Sequence, residues 1–190
     1  IGSALAFAVS MQAASLVFSK GELALIGGDS FYHARRILDA VVDPGAFYQF
    51  DRRMHAPEGS WLVWPWGYDW MIARLVRIVV WLQPSWSAET VLAYIPPLWL
   101  FVNGWLVLQV AGALRLPLAL RAVALGCFAL LPLTQHLHSV GRIDHHFAEH
   151  TFALAALWLG LRWASDWTHR GWAFALGLVL GIAPACHNSL

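Results

Sequence analysis

Gly141-Arg142-Ile143-Asp144-His145-His146-Phe147-Ala148-Glu149-His150 sets charge and imidazole between two long apolar runs. One run precedes it, Leu118 to Leu133, and one grows out of it, Phe147 to Leu161. Ionisable groups beside membrane-grade apolar sequence are costly unless they act, so this stretch reads as a functional site. Working outward, a second cluster follows the first apolar run: Gly28-Asp29-Ser30-Phe31-Tyr32-His33-Ala34-Arg35-Arg36. If the topology brings the two clusters together, Asp29, Asp144 and His146 make a metal site.

Composition sets the class. The chain is 59% hydrophobic and 12% charged, with a mean hydropathy of +0.57. Soluble domains carry about 25% charged residues, so an integral membrane protein is expected. A net charge of +1 excludes a nucleic-acid partner as an expectation. Twelve Trp and ten Phe suit interfacial belts as well as packed interiors. Cys127 and Cys186 lie far apart in apolar surroundings and read as two buried thiols rather than a redox or metal pair. The absence of an initial Met, and an end at Cys186-His187-Asn188-Ser189-Leu190, suggest a piece of a longer protein.

The expected fold is all-α, a polytopic bundle of transmembrane helices with a long, partly helical first external loop. Five spans are expected: 1–19, 91–114 (kinked by Pro96-Pro97), 118–133, 147–161 and 172–185. The external loop covers 20–90, with turns at Asp43-Pro44-Gly45 and Ala56-Pro57-Glu58-Gly59. Within it, Tyr68 to Leu82 repeats Ile72, Leu75, Val76, Val79 and Val80 at helical spacing. Arg74 and Arg77 interrupt that run, which suits a helix lying in the membrane interface. The choice matters, because a crossing there would put Asp29 and Asp144 on opposite sides. Arg115 and Arg121 flank one short link, and Arg162 and Arg170 flank another. The positive-inside rule puts both links in the cytoplasm, so Asp29 and Asp144 both face outward.

The candidate residues have bland readings beside the chemical ones. Asp29 could cap a helix running through Leu38, after the tight turn that Gly27-Gly28 allows. Arg35 and Arg36 could pair with Asp39 and Asp43, or grip phosphate. Asp144 with His146 two residues on can chelate one cation from a turn, and carboxylate oxygens with one imidazole suit Mn2+ or Mg2+, with Zn2+ also accommodated. Asp144 could instead cap the helix that follows. That would leave the histidines unexplained, since a protonated imidazole in a first turn opposes the helix dipole. Glu149, one turn on, could orient His145. His136, His138 and His150 read as interfacial or supporting groups, with haem ligation by His136 and His150 as the sharp alternative.

At these two motifs the chain resembles the catalytic subunit of oligosaccharyltransferase, in its bacterial and archaeal single-subunit forms, a GT-C membrane glycosyltransferase family. The match lies in Gly28 to Arg36 of the first outward loop and Gly141 to Glu149 of the second, in the family's order of spans and loops. The resemblance implies transfer of a glycan from a polyprenyl-linked phosphate or pyrophosphate to the Asn side chain of Asn-X-Ser/Thr in an acceptor polypeptide. It implies Asp29 and Asp144 as catalytic residues, and Asp29, Asp144 and His146 as ligands of a divalent metal, the last two matching the Asp-x-His form of the family motif. Arg142, His145, Glu149, Arg35 and Arg36 would then support the metal or contact phosphate. The implied location is a membrane, the bacterial inner membrane, with the site on the outer, periplasmic face. The family also carries a later acidic loop residue and a Trp-Trp-Asp motif. Neither occurs in this sequence, so this piece alone is expected to be inactive. Two rivals remain: a GT-C enzyme acting on a Ser/Thr hydroxyl or a lipid, and a His-rich haem- or metal-binding membrane protein.

Overall fold

The computed structural model describes residues 2–19, 22–46 and 48–187. Ile1 of the first expected span, and Lys20 at the start of the expected loop, lie outside the described residues. The architecture is all-α, as expected, with two minimal antiparallel strand pairs that the sequence reading does not include. The elements in order are α1 (Gly2–Ser10), α2 (Ala14–Val17), β1 (Phe18–Ser19), β2 (Glu22–Leu23), α3 (Gly28–Val42), β3 (Phe50–Asp51), β4 (Ser60–Trp61), α4 (Gly67–Leu82), α5 (Ala88–Ala113), α6 (Leu118–Leu130), α7 (Pro132–Leu137), α8 (His146–Ser165) and α9 (Arg170–Cys186). β1 pairs with β2 and β3 with β4, both antiparallel.

Several boundaries differ from the sequence expectation for local reasons. The uncharged run at the start breaks at a turn over residues 11–13 and forms two helices. The third expected span ends at Leu131, whose extended backbone is what the following Pro132 demands, and a new short helix begins. α5 starts at a true cap, with Ser87 Oγ accepting from the Thr90 N–H at 3.1 Å, and runs on through Pro96 and Pro97. Neither Asp29 nor Asp144 is a helix cap. Gly27 precedes α3 in a left-handed conformation, φ 89°, that favours glycine, and His145 precedes α8 without a side-chain cap. Cys127 is exposed on α6, contrary to the expected burial, while Cys186 is buried, and both are free thiols.

α5–α6 and α8–α9 are antiparallel hairpins with short links, and α8 packs along α5. α4 lies against α3 and α5 and buries Tyr68, Ile72, Ala73 and Val76 in a core shared with Ile37, Leu92, Ile143 and Phe147. That is the apolar face the helical spacing of 68–82 predicts, although Leu75, Val79 and Val80 sit at its margin. Gly67, at the start of α4, allows the end of α9 to come close: an added Cβ would stand 2.3 Å from the Ala185 carbonyl oxygen.

Among the described residues, α5 is the one helix both long and apolar enough to cross a membrane. Ala4–Val17, Leu118–Leu130 and Arg170–Cys186 are shorter apolar segments.

Candidate catalytic and metal centre

Two loops meet at one end of the helices. The first runs into α3, and the second joins α7 to α8. The Ile26 N–H donates to the Gly141 carbonyl at 3.0 Å. The second loop is also held from beneath, since Val140 N–H donates to Ser10 O and Gly141 N–H to Ala93 O, both at 3.0 Å. Gly141 is required twice over. Its φ is +75°, and an added Cβ would lie 2.8 Å from both Val17 methyl carbons. The turn therefore packs onto α2 with no room for a side chain.

α3 carries His33 and Arg36 on one face, three residues apart, and both are buried. Each reaches Asp69 in the first turn of α4. His33 Nδ1 lies 2.7 Å from Asp69 Oδ1, and Arg36 Nη1 lies 2.9 Å from Asp69 Oδ2. Asp69 is fully buried. A carboxylate without solvent needs such partners, and here an imidazole and a guanidinium supply them. Arg35 pairs with Asp51 on β3. The expected partners of the two arginines, Asp39 and Asp43, are thus replaced by Asp51 and Asp69. Asp39 accepts instead from Arg53 and Tyr48.

With Nδ1 of His33 turned to Asp69, Nε2 points to His145 Nδ1 at 3.1 Å. Asp144 is buried beside them. Its Oδ1 lies 3.3 Å from His145 Nδ1 and 3.9 Å from His146 Nε2, while Arg142 Nη2 stands 3.6 Å from Oδ2. Oδ1 of Asp144 has no hydrogen-bond partner. A buried carboxylate oxygen facing imidazoles without a donor fits a divalent cation bound by mixed oxygen and nitrogen ligands. Potential ligand atoms of His33, Asp144 and His145 lie within 4.8 Å of one another, as do those of His145, His146 and His187.

Asp144, His145 and His146, neighbours in one motif, lie together, whereas the expected trio of Asp29, Asp144 and His146 does not form one cluster among the described residues. Asp29 stands in the first turn of α3, exposed, outside both clusters, and one helical turn before His33. Glu149 is placed differently from expectation: it meets His146 Nδ1 at 2.9 Å and His187 Nε2 at 3.7 Å, not His145.

Burial pulls the His145 pKa down to about 4, with His33, His146 and His187 acting in the same sense and Asp144 against it. A neutral imidazole keeps a lone pair for a cation. Tyr32 packs by Trp64 and is pushed up to about 12, chiefly by burial. Tyr68, fully buried, is raised further by burial, Asp69 and Asp144. Both phenols therefore stay protonated at neutral pH.

Sequence reasoning missed His33, Asp69 and His187. Asp69 carried a signal, being the sole acid in the run Gly67 to Leu82. His187 carried a weaker one, as a polar group following an apolar helix. It also did not foresee the polar chain behind the site. Asn103 Nδ2 lies 3.0 Å from His138 Nε2 and donates to Phe147 O at 2.9 Å, while Asn103 Oδ1 accepts from Thr151, which accepts from Trp99. His138 Nδ1 meets Thr134 O at 2.8 Å. Burial lowers the His138 pKa to about 4, against the pull of the Thr134 carbonyl, so it is a neutral strut between α5, α7 and α8.

No family profile and no curated protein matches the chain. Solved structures do. The chain is similar to the archaeal oligosaccharyltransferase AglB of Archaeoglobus fulgidus in complex with an inhibitory peptide and a dolichol-phosphate, at TM-score 0.73 and 20% identity over 97% of this chain and 23% of that one. It is similar to the oligosaccharyltransferase of the same organism in complex with Zn and sulfate, at TM-score 0.74 and 20% identity over 98% of this chain and 25% of that one. The apo form gives TM-score 0.74 and 20% identity over 97% and 23%. The chain spans about a quarter of the length of these structures. Nearly all of it adopts the fold of the corresponding part of an archaeal oligosaccharyltransferase.

Proposed function

We propose that this chain is part of a polytopic membrane glycosyltransferase that moves a glycan from a polyprenyl-linked phosphate or pyrophosphate to the Asn side chain of an Asn-X-Ser/Thr acceptor. The observation that carries the reading is the meeting of the two charged loops around a buried oxygen of Asp144 that faces imidazoles and has no hydrogen bond. The fold is shared with a chain solved with an inhibitory peptide and a dolichol-phosphate, and with Zn and sulfate, which supports an acceptor peptide, a lipid phosphate and a divalent cation as partners.

In this reading α5, the shorter apolar helices and α8 cross the membrane, and α4 lies in its interface. The large apolar side chains exposed on α5, α6 and α9, among them Leu98, Phe101, Val123, Phe174 and Leu178, then face lipid. The histidine end faces outward, in a bacterial inner membrane the periplasm.

A divalent cation, Mn2+ or Mg2+ with Zn2+ a further fit for the imidazole-rich surroundings, would be held by Asp144 with His146, and His33 and His145 stand close by; Asp29, the third expected ligand, lies outside both clusters. When bound there, such a cation would supply positive charge to offset that of a phosphate leaving group. Arg142, beside Asp144, adds a guanidinium on the phosphate side. Arg35 and Arg36 are engaged by Asp51 and Asp69, which leaves phosphate to Arg142. Asp29, exposed at the mouth, accepts hydrogen bonds from the acceptor amide N–H groups and holds that amide in place. Asp69 fixes the His33 ring through Nδ1 and so aims Nε2 into the centre.

The test is Asp144→Ala in the full-length protein, in membranes given a lipid-linked glycan and an Asn-X-Thr peptide. Loss of a charge-stabilising centre predicts a fall in transfer of about a hundredfold or more. Transfer at the wild-type rate would remove the proposal.

A further inference from the structure

At the end of the bundle opposite the histidines, a second feature stands apart from the proposed chemistry. A cavity of about 410 Å3 opens between the end of α5, the start of α6 and the end of α8. Arg121, Arg162 and Gln109 line it against Leu108, Leu118 and Trp158. Arg162 lies thirteen residues beyond Glu149 on α8, a separation of about 20 Å along the helix.

Both guanidinium groups are held in place. Arg121 Nε donates to the Leu116 carbonyl at 2.7 Å, which directs its terminal nitrogens elsewhere. Gly112 makes room for them, since an added Cβ there would lie 3.3 Å from Arg121 Nη1. Arg162 stacks on Trp172, with its guanidinium carbon 4.9 Å from the ring centroid. The nearby acid, Asp166, accepts from the Thr168 hydroxyl at 2.7 Å and forms no ion pair with either arginine. Among the described residues, neither arginine is in an ion pair. Two positioned guanidiniums facing one cavity with no carboxylate select an anion, and their planar forks match phosphate oxygens.

We propose that this cavity binds the phosphate headgroup of an anionic phospholipid. The assignment rests on the membrane reading above, which puts this end at the cytoplasmic leaflet. The surroundings favour a lipid over free phosphate. Leu118, which lines the cavity, is exposed, as are Leu114 and Leu120 close to it in the chain, and an acyl chain would cover such apolar surface as the headgroup meets the arginines. Basic pockets between membrane helices on the cytoplasmic side hold such headgroups.

The experiment uses full-length protein, delipidated and reconstituted in phosphatidylcholine with or without phosphatidylglycerol. Native mass spectrometry then counts retained lipid. Wild-type protein should retain phosphatidylglycerol in preference to phosphatidylcholine, and Arg121→Gln with Arg162→Gln should weaken that retention about tenfold or more. Arg162 is exposed, so Arg162→Gln alone serves if the double variant does not fold, with a smaller loss expected. Retention unchanged in the variants overturns the proposal, as does displacement of the lipid by millimolar inorganic phosphate, which would mark a free-phosphate site. A structure of the full-length protein with a carboxylate of another segment against both arginines overturns it too. Because the readout is lipid count rather than glycan transfer, its failure and that of the transferase reading are separable.

Discussion

Asp69 decides more of the centre than its place in the sequence suggests. It is fully buried, and its two oxygens serve two different groups, His33 and Arg36. Asp69→Asn keeps the shape but leaves Arg36 buried without its counter-charge, a situation that costs about 3 kcal/mol or more. It also frees the His33 ring, and loss of such an orienting carboxylate weakens metal binding about 10- to 100-fold. His33→Gln separates the two effects, because the Arg36–Asp69 pair survives. Thermal melts should show a large loss for Asp69→Asn and a smaller one for His33→Gln, while calorimetric titration with Mn2+ should show both weakened. Unchanged metal affinity in both would detach His33 from the cation site. Asp144 and His146 stand out in the sequence because they are two residues apart in one motif. His33 was in the quoted motif but without a role, since its partners Asp69 and His145 are 36 and 112 residues away along the chain.

At the scale of elements, the loop from Ser139 to His145 is the critical piece. It makes backbone hydrogen bonds to the end of α1, to α5 and to the entry of α3, so one short segment ties three parts of the chain to the site. Gly141→Ala confronts both a positive φ and contact with Val17. Strain of this kind costs about 1–3 kcal/mol before the clash is added. Combining it with Val17→Ala removes the clash but not the backbone strain, so denaturant unfolding should show partial recovery. Full recovery would mean that crowding alone demands glycine there, and no loss in the single variant would mean that the loop is not held as described. The Tyr68–Leu82 helix was legible from its periodicity. The break in the first apolar run was not, because residues 1–19 carry neither charge nor proline to mark it.

For the whole molecule, the telling fact is that residue 26 and residue 141 meet, so everything between them leaves one end of the bundle and returns to it. In the proposed membrane arrangement this requires an even number of crossings between the two charged loops, the role that reading gives to α5 and α6. In a background free of other cysteines, Phe31→Cys should react from outside intact cells with a membrane-impermeant thiol reagent, and Ser165→Cys, at the far end of α8, should not. Labelling of both from outside, or of Ser165→Cys alone, would sink the proposed orientation. The two arginine-flanked links lie together at that far end, and nothing in residue order groups Arg121 and Arg162 around one cavity.

Residue order alone carries the helical class of the fold and singles out the two charged motifs as candidates for chemistry. Apolar runs of helical length can satisfy their backbone only as helices, and the charged motifs stand out because so little charge surrounds them. Tertiary packing sets which charges answer one another: Asp69 with His33 and Arg36, Glu149 with His146 and His187, and Asp144 Oδ1, without a hydrogen bond, facing His145 and His146. Those choices depend on distances between segments far apart in the chain, and on burial that raises the cost of leaving a charge alone. Neither quantity has a counterpart in residue order.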